Sequence, residues 1–222
     1  GARPALLLPI VARVRRMFDL DADPWAIATT LRRTPRLRRA LAHTPGIRVP
    51  GAWDGMEVAA RALIGQQVSV AAARTLATRV LHRHGTPLPE PFHAHGFTHV
   101  FPSASTLSDA DLDGIGLTRD RARALRTVAR GVADGTLPLA PGTPLDSLVA
   151  RWTAVPGIGD WTAHYIAMRA LSHPDACPAG DLIVRRALGD NGDALTTSAV
   201  RRLAEAWRPW RAYAVLYLWR TA

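Results

Sequence analysis

Apolar residues recur at three- and four-residue spacing through almost the whole chain, the period of helices that bury one face. LLLPIVARVRRMFDL (6–20), AIATTLRRTPRLRRALAH (26–43) and WDGMEVAARALIGQQVSVAAARTLATRVLHRH (53–84) read as three long helices. Further helices are predicted over 120–135, 144–154, 160–173, 181–190, 197–207 and 210–220. Breakers separate them, among them Pro45-Gly46, Pro141-Gly142 and Asn191-Gly192, and Thr197 or Ser198 is placed to cap the helix that runs to Glu205. No stretch alternates strongly enough to predict a sheet, so the expected fold class is all-α. One segment escapes the helical period: HRHGTPLPEPFHAHGFTHVFPSAS (82–105), which holds five of the eight histidines. Their spacing matches no metal motif and Glu90 is the only acidic residue nearby. A solvated loop is the reading, and neither a metal nor a cofactor is expected.

Composition narrows the function classes. At 222 residues, 48% hydrophobic and 21% charged, the chain can bury a core as one unit or two small lobes. No apolar run approaches the ~20 residues of a membrane span, and the opening residues lack the basic region and cleavage signature of a signal peptide. Gly1 in place of Met points to a trimmed chain or one end of a longer polypeptide. A single cysteine, Cys177, excludes an internal disulfide framework and a four-thiolate iron–sulfur cluster. A reducing, cytoplasmic setting is therefore expected. The net charge of +10 points to a polyanionic partner. All 28 lysine-or-arginine positions are arginine; biased codon usage is the preferred explanation over function. Either way, no side-chain amine is available to form a Schiff base.

The densest chemistry lies in VPGIGDWTAHYIAMRAL … CPAGDLIVRRAL (155–188). Gly157 and Gly159 permit a tight turn with nothing beyond Cα in the way, and a helix begins at once. Free N–H groups at such a turn form a concavity for a phosphate. With the helix predicted before it, the unit is helix–hairpin–helix, although an ordinary corner between two helices has the same outline. Trp161 and Tyr165 are four apart and share a helix face, where they could stack an unpaired base or simply pack in the core. Asp181 sits at a helix start, as an N-cap or as a functional carboxylate.

These motifs, together with ARALIGQQVSVAAARTLATRV, LDGIGLTRDRARAL and RRLAEAWRPWRAYAVLYLW, resemble the helix–hairpin–helix DNA glycosylase superfamily. The resemblance is strongest to its alkyl-purine branch, the 3-methyladenine DNA glycosylase II (AlkA) type, and covers nearly the whole chain. It implies a two-lobed helical fold, with residues 56–173 as a central lobe carrying the hairpin at about 145–171. Residues 1–55 and 174–222 combine into a second lobe, and the cleft between the lobes holds the active site. It implies Asp181 as the catalytic carboxylate and Trp161, Tyr165 and Trp219 as the lining of a pocket for a flipped base. Gly157, Gly159 and Thr162 are implied to hold a DNA phosphate. Gln66 and Gln67 fall where the family fills the gap left by the extruded nucleotide, Gln67 at the wedge position. The implied partner is double-stranded DNA containing alkylated bases, bound by a monomer near the nucleoid.

Four departures stand out. Gln67 is polar where an apolar wedge is usual, and Leu182 removes an aromatic that can follow the aspartate. The family's amino-terminal antiparallel-sheet domain is expected to be absent. Asp160 places a negative charge beside the phosphate turn. The implied chemistry is hydrolysis of the N-glycosidic bond of 3-methyladenine- or 7-methylguanine-type purines. Such bases are cationic and leave without a general acid, so the carboxylate's task is to stabilise charge on the sugar. Related enzymes that also cut the strand use a hairpin-helix lysine where Trp161 stands, so no strand cleavage is expected. Composition leaves open another damaged base, such as hypoxanthine or uracil, and a non-catalytic DNA-binding module.

Overall fold

The computed structural model describes residues 4–140, 142–189 and 193–221. Pro141, Asn191 and Gly192, expected above as breakers, and Gly1 lie outside the described residues. After a short 3-10 turn at Pro4–Leu6 come α1 (Leu7–Met17), α2 (Pro24–Leu31), α3 (Pro35–His43), α4 (Gly55–Ile64) and α5 (Val70–His84). Then follow β1 (Thr86–Pro87), α6 (Glu90–His93), β2 (His99–Val100), α7 (Ala104–Ser108), α8 (Arg119–Ala133), α9 (Leu145–Thr153), α10 (Asp160–Ala170), α11 (Leu182–Leu188), α12 (Thr197–Ala204) and α13 (Arg211–Arg220). The class is all-α, as the periodicity predicts. No helix among the described residues is long and apolar enough to cross a membrane.

Two of the three long predicted helices are broken. The 26–43 stretch divides before Pro35, whose ring and missing N–H do not continue a helix; Pro24 and Pro35 each stand at the first helical position. The 53–84 stretch divides at 65–69, where Gln67 adopts φ +54° and Ser69 starts α5 by accepting the N–H of Ala72 at 3.2 Å. Local caps also set the neighbouring helix starts. Asp23 accepts from Trp25 and Ala26, and Asp54 accepts from Met56 at 2.7 Å. The cap of α12 is Thr196, one residue before the expected pair, with its hydroxyl accepting from Ala199 at 3.2 Å. Within the segment read as a solvated loop, Thr86↔Val100 and Pro87↔His99 pair antiparallel. Strands of two residues are too short to show alternation.

The core forms where these helices meet. α10 packs on α4 and α9, α4 on α8, and α7 on α8, with Leu63, Ile64, Leu125, Leu148, Trp152 and Ile166 fully buried. α13 packs on α3 and α11, around Leu37, Trp207 and Tyr217. Residues 171–181 connect α10 to α11 and are fixed to the last helix by ion pairs. Asp175 accepts from Arg211 Nε at 2.7 Å and from its terminal nitrogen at 2.9 Å, and Arg208 joins them. Both Asp175 and Arg211 are buried. α1 is different: it has no buried residue, and Leu7, Leu8, Ile10, Val11, Val14 and Phe18 are exposed.

Candidate active site

The turn between α9 and α10 closes through Val155 N–H to Trp152 O (3.1 Å) and Ile158 N–H to Val155 O (3.0 Å). Gly157 sits at φ +92°, a conformation that L side chains rarely adopt. Gly159 has an ordinary extended backbone, and a Cβ there would meet nothing within 4 Å. Nothing inside the protein requires glycine at 159; its bare surface leaves room for something outside. No side chain caps α10, and the first N–H with an intrahelical partner is that of Ala163, bonded to Gly159 O. The N–H groups of Gly159, Asp160, Trp161 and Thr162 thus find no acceptor among the described residues, the arrangement that binds an anion. Asp160 is not left bare beside them. Its carboxylate pairs with Arg201 of α12 at 3.0 Å, which offsets its charge.

One face of α10 carries the aromatics. Trp161 and Tyr165 stack on each other, centroids 5.1 Å apart and 12° from parallel, and the Arg169 guanidinium lies 5.8 Å from the Tyr165 ring centre. They form one composite face rather than a slot between two rings. Across from them, Asp181 caps α11 through Val184 N–H to Oδ1 at 3.0 Å. Both readings of this residue coexist, because two indole N–H groups also converge on it. Trp219 Nε1 donates to Oδ1 at 3.0 Å and Trp161 Nε1 donates to Oδ2 at 2.9 Å. A carboxylate has about four acceptor sites; three are filled, and the remaining one is on Oδ2. The half-buried carboxylate is held in one orientation with one lone pair to offer.

Gln66 and Gln67 part company. Gln66 turns inward and donates from Nε2 to Gly157 O (3.0 Å) and Thr162 Oγ1 (3.2 Å), while Arg121 donates to its backbone carbonyl at 2.7 Å. It ties the α4–α5 loop to the hairpin. Gln67, in the left-handed conformation, is exposed. The side chain of Thr162 is buried and its hydroxyl accepts from Gln66, which leaves its N–H as the unpartnered group at the turn. Gln66, Gln67, Gly157, Gly159, Trp161 and Tyr165 line a common cleft of about 710 Å³. Asp181 and Trp219 lie outside that lining and are tied to it through Trp161, whose indole N–H reaches the carboxylate that Trp219 holds from the other side. The contributions of Arg121 and Arg201 carried no sequence signal, since each acts across a long loop of chain.

Two further titratable groups lie buried behind the cleft, Cys177 and His164, while the arginines Arg61 and Arg74 line it. Cys177 is buried, and burial pushes its thiol up to about 11. Its N–H donates to His164 Nδ1 at 3.2 Å, so the proton of the imidazole is on Nε2. Burial lowers the pKa of His164 despite Asp160 nearby. Neither offers a thiolate nor an imidazolium to the cleft.

Residues 60–212 match the family described as HhH-GPD superfamily base excision DNA repair protein, and residues 2–54 match the AlkA N-terminal domain. The described part of that second stretch is helical, with no strand. The chain is 40% identical over 216 residues to a probable bifunctional transcriptional activator/DNA repair enzyme AlkA of Mycobacterium tuberculosis; the match covers 97% of this chain and 43% of that protein, less than half its length. It is 34% identical to DNA-3-methyladenine glycosylase 2 of Escherichia coli, covering 95% of this chain and 71% of that one. Among solved structures, a 3-methyladenine DNA-glycosylase from Archaeoglobus fulgidus superimposes with a TM-score of 0.78 at 23% identity, over 99% of this chain and 76% of that one. A 3-methyladenine DNA glycosylase of Schizosaccharomyces pombe in complex with abasic DNA gives 0.71 at 22% identity, over 88% and 96% of the two chains. These two likenesses concern the fold.

Proposed function

The chain belongs to the HhH-GPD superfamily of base excision DNA repair proteins, and from that premise we propose that it hydrolyses the N-glycosidic bond of alkylated purines in duplex DNA. The observation that carries this reading is the carboxylate of Asp181, fixed by the indole N–H groups of Trp161 and Trp219 beside a hairpin whose N–H groups are free. The amides of Gly159, Asp160, Trp161 and Thr162 hold a backbone phosphate, with Gly157 shaping the turn. Gln67 enters the gap left by the extruded nucleotide, and Gln66 keeps its loop in register with the hairpin. Flipping costs a few kcal/mol and is cheapest at damaged pairs.

The purine stacks on the outer face of the Trp161–Tyr165 pair in the cleft, and Trp219 meets it from the far side of Asp181. A base made cationic by N3 or N7 alkylation gains roughly 0.5–2 kcal/mol from each favourable aromatic face. As the glycosidic bond breaks, its electron pair leaves with the base and neutralises the alkyl-purine cation, while positive charge develops on the sugar. Asp181 stabilises that charge. Its free Oδ2 site orients the water whose oxygen bonds to the anomeric carbon, and takes up the released proton. The reading excludes strand cleavage: the chain holds no lysine and its one thiol is protonated, so no side chain is suited to a covalent adduct. Residues 56–173 act as the hairpin lobe and 1–55 with 174–222 as the carboxylate lobe of a monomer acting on chromosomal DNA in the cytoplasm.

The test is single-turnover release of free base from duplexes that each carry one lesion: 7-methylguanine, 3-methyladenine, hypoxanthine or uracil. The alkylated purines are expected to be released by the unmutated chain. Asp181→Asn is expected to abolish release while binding to an abasic duplex stays intact or tightens, because the charge matters mostly in the transition state. Release by Asp181→Asn within about tenfold of the unmutated rate removes the assignment.

A further inference from the structure

The hairpin cleft is not the largest cavity among the described residues. A groove of about 980 Å³ runs between α3, α11 and the end of α13, lined by Arg39, His43, Arg186 and Arg220 with Ile183 and Trp219 in its wall. No carboxylate lines it among the described residues. Arg36, also at its edge, is used structurally: it donates to Ala187 O and Gly189 O, both at 2.7 Å, at the end of α11. The guanidinium groups of Arg39, Arg186 and Arg220 are exposed, and no described residue pairs with them. Three unpaired like charges around one concavity repel one another, and an anion in the groove relieves that repulsion.

The position of the groove says which anion. Its residues all lie in 36–47 and 183–221, whereas those of the hairpin cleft all lie in 61–74 and 157–165. The two cavities share no residue, and Asp181 joins them: Trp161 of the hairpin cleft holds Oδ2 and Trp219 of the groove holds Oδ1. A strand that brings its sugar to Asp181 and one phosphate to the hairpin must carry its other flanking phosphates away on the second side. We propose that this groove is a second DNA-backbone site, in which Arg39, Arg186 and Arg220 bind phosphates of the damaged strand on the side of the flipped nucleotide away from the hairpin. The proposal rests on the glycosylase reading for the placement of the strand. It gives the carboxylate lobe its own grip on DNA and holds the strand at two points around the reacting sugar.

Binding of a duplex with one tetrahydrofuran abasic-site analogue, followed by fluorescence anisotropy from about 50 to 200 mM salt, tests it. For Arg39→Ala/Arg186→Ala/Arg220→Ala the affinity should fall about tenfold or more, and the slope of log K against log salt should become shallower by roughly two to three units, one per lost phosphate contact. The corresponding triple lysine variant keeps the charge and should recover most of both. Methylphosphonates replacing phosphates of the damaged strand on the side of the lesion away from the hairpin should weaken the unmutated chain and leave the alanine variant unchanged. An unaltered salt slope in the alanine variant overturns the proposal. So does a lysine variant as weak as the alanine one, or equal methylphosphonate losses in both proteins. Base release by the unmutated chain is measured in parallel: its absence counts against the glycosylase reading, whereas release with an unaltered slope counts against the groove alone.

Discussion

Gly157 and Gly159 stand two positions apart and are glycine for different reasons. Gly157 has a positive φ of 92°, and a Cβ would also press to 3.3 Å from that of Ala124; Gly159 has neither constraint. Gly159→Ala is therefore expected to leave stability within about 0.5 kcal/mol while weakening binding to an abasic duplex several-fold. Thermal melts beside anisotropy check the pair of outcomes. Gly157→Ala should instead lower the melting temperature, since left-handed backbone costs an L residue about 1 kcal/mol or more. The tryptophans separate in the same way. Trp219→Phe keeps a ring and removes the donor to Oδ1. A hydrogen bond to a charged group is worth about 1.5–3 kcal/mol, so single-turnover excision should slow at least tenfold with little change in DNA affinity. An equal loss in both quantities assigns Trp219 to stacking and not to holding the carboxylate.

At the scale of elements, the connection from α10 to α11 decides where Asp181 stands. Asp175 anchors it on α13 through the buried, two-pronged pair with Arg211. Asp175→Ala leaves that buried guanidinium with Glu205, at 3.4 Å, as its remaining carboxylate, and denaturant unfolding should show a loss of about 3–5 kcal/mol. Arg208 is half-exposed, and its removal should cost about 0–1 kcal/mol. The connection and the helix before it carry a pH dependence, through His173 and through His164, which accepts the N–H of Cys177. Burial lowers the folded-state pKa of both His164 and His173 below the usual value of 6.5. On acidification the unfolded chain binds protons first, so these two sites favour folding fully above about pH 6.5 and lose that contribution as pH falls towards their folded values. Melting temperature measured from about pH 8 to pH 5 should drop over the lower part of this range, and less in His164→Gln.

For the whole molecule, a charge of +10 carried entirely by arginine gives a surface suited to phosphate and a chain without a nucleophilic side-chain amine. Borohydride added during turnover should trap no covalent protein–DNA adduct, and nicks should appear only after hot alkali; efficient trapping overturns the hydrolytic reading. Much of this was legible in the sequence. Helical period gave the all-α class, Gly157 and Gly159 marked the hairpin, Asp181 stood out at a helix start, and the absence of lysine needed no structure. These signals act within about one helical turn, or are matters of composition, and a linear reading reaches them. What it could not reach was decided across long separations. Trp161 meets Asp181 20 residues away and Trp219 meets it 38 away, and Gln66 finds Gly157 across 91. The neutralisation of Asp160 by Arg201 and the arginine groove beside Trp219 are of the same kind. Side chains so far apart meet only because α4, α10, α11 and α13 pack as they do, and that packing, not any local pattern, chose which glutamine turns inward and which oxygen of Asp181 stays free.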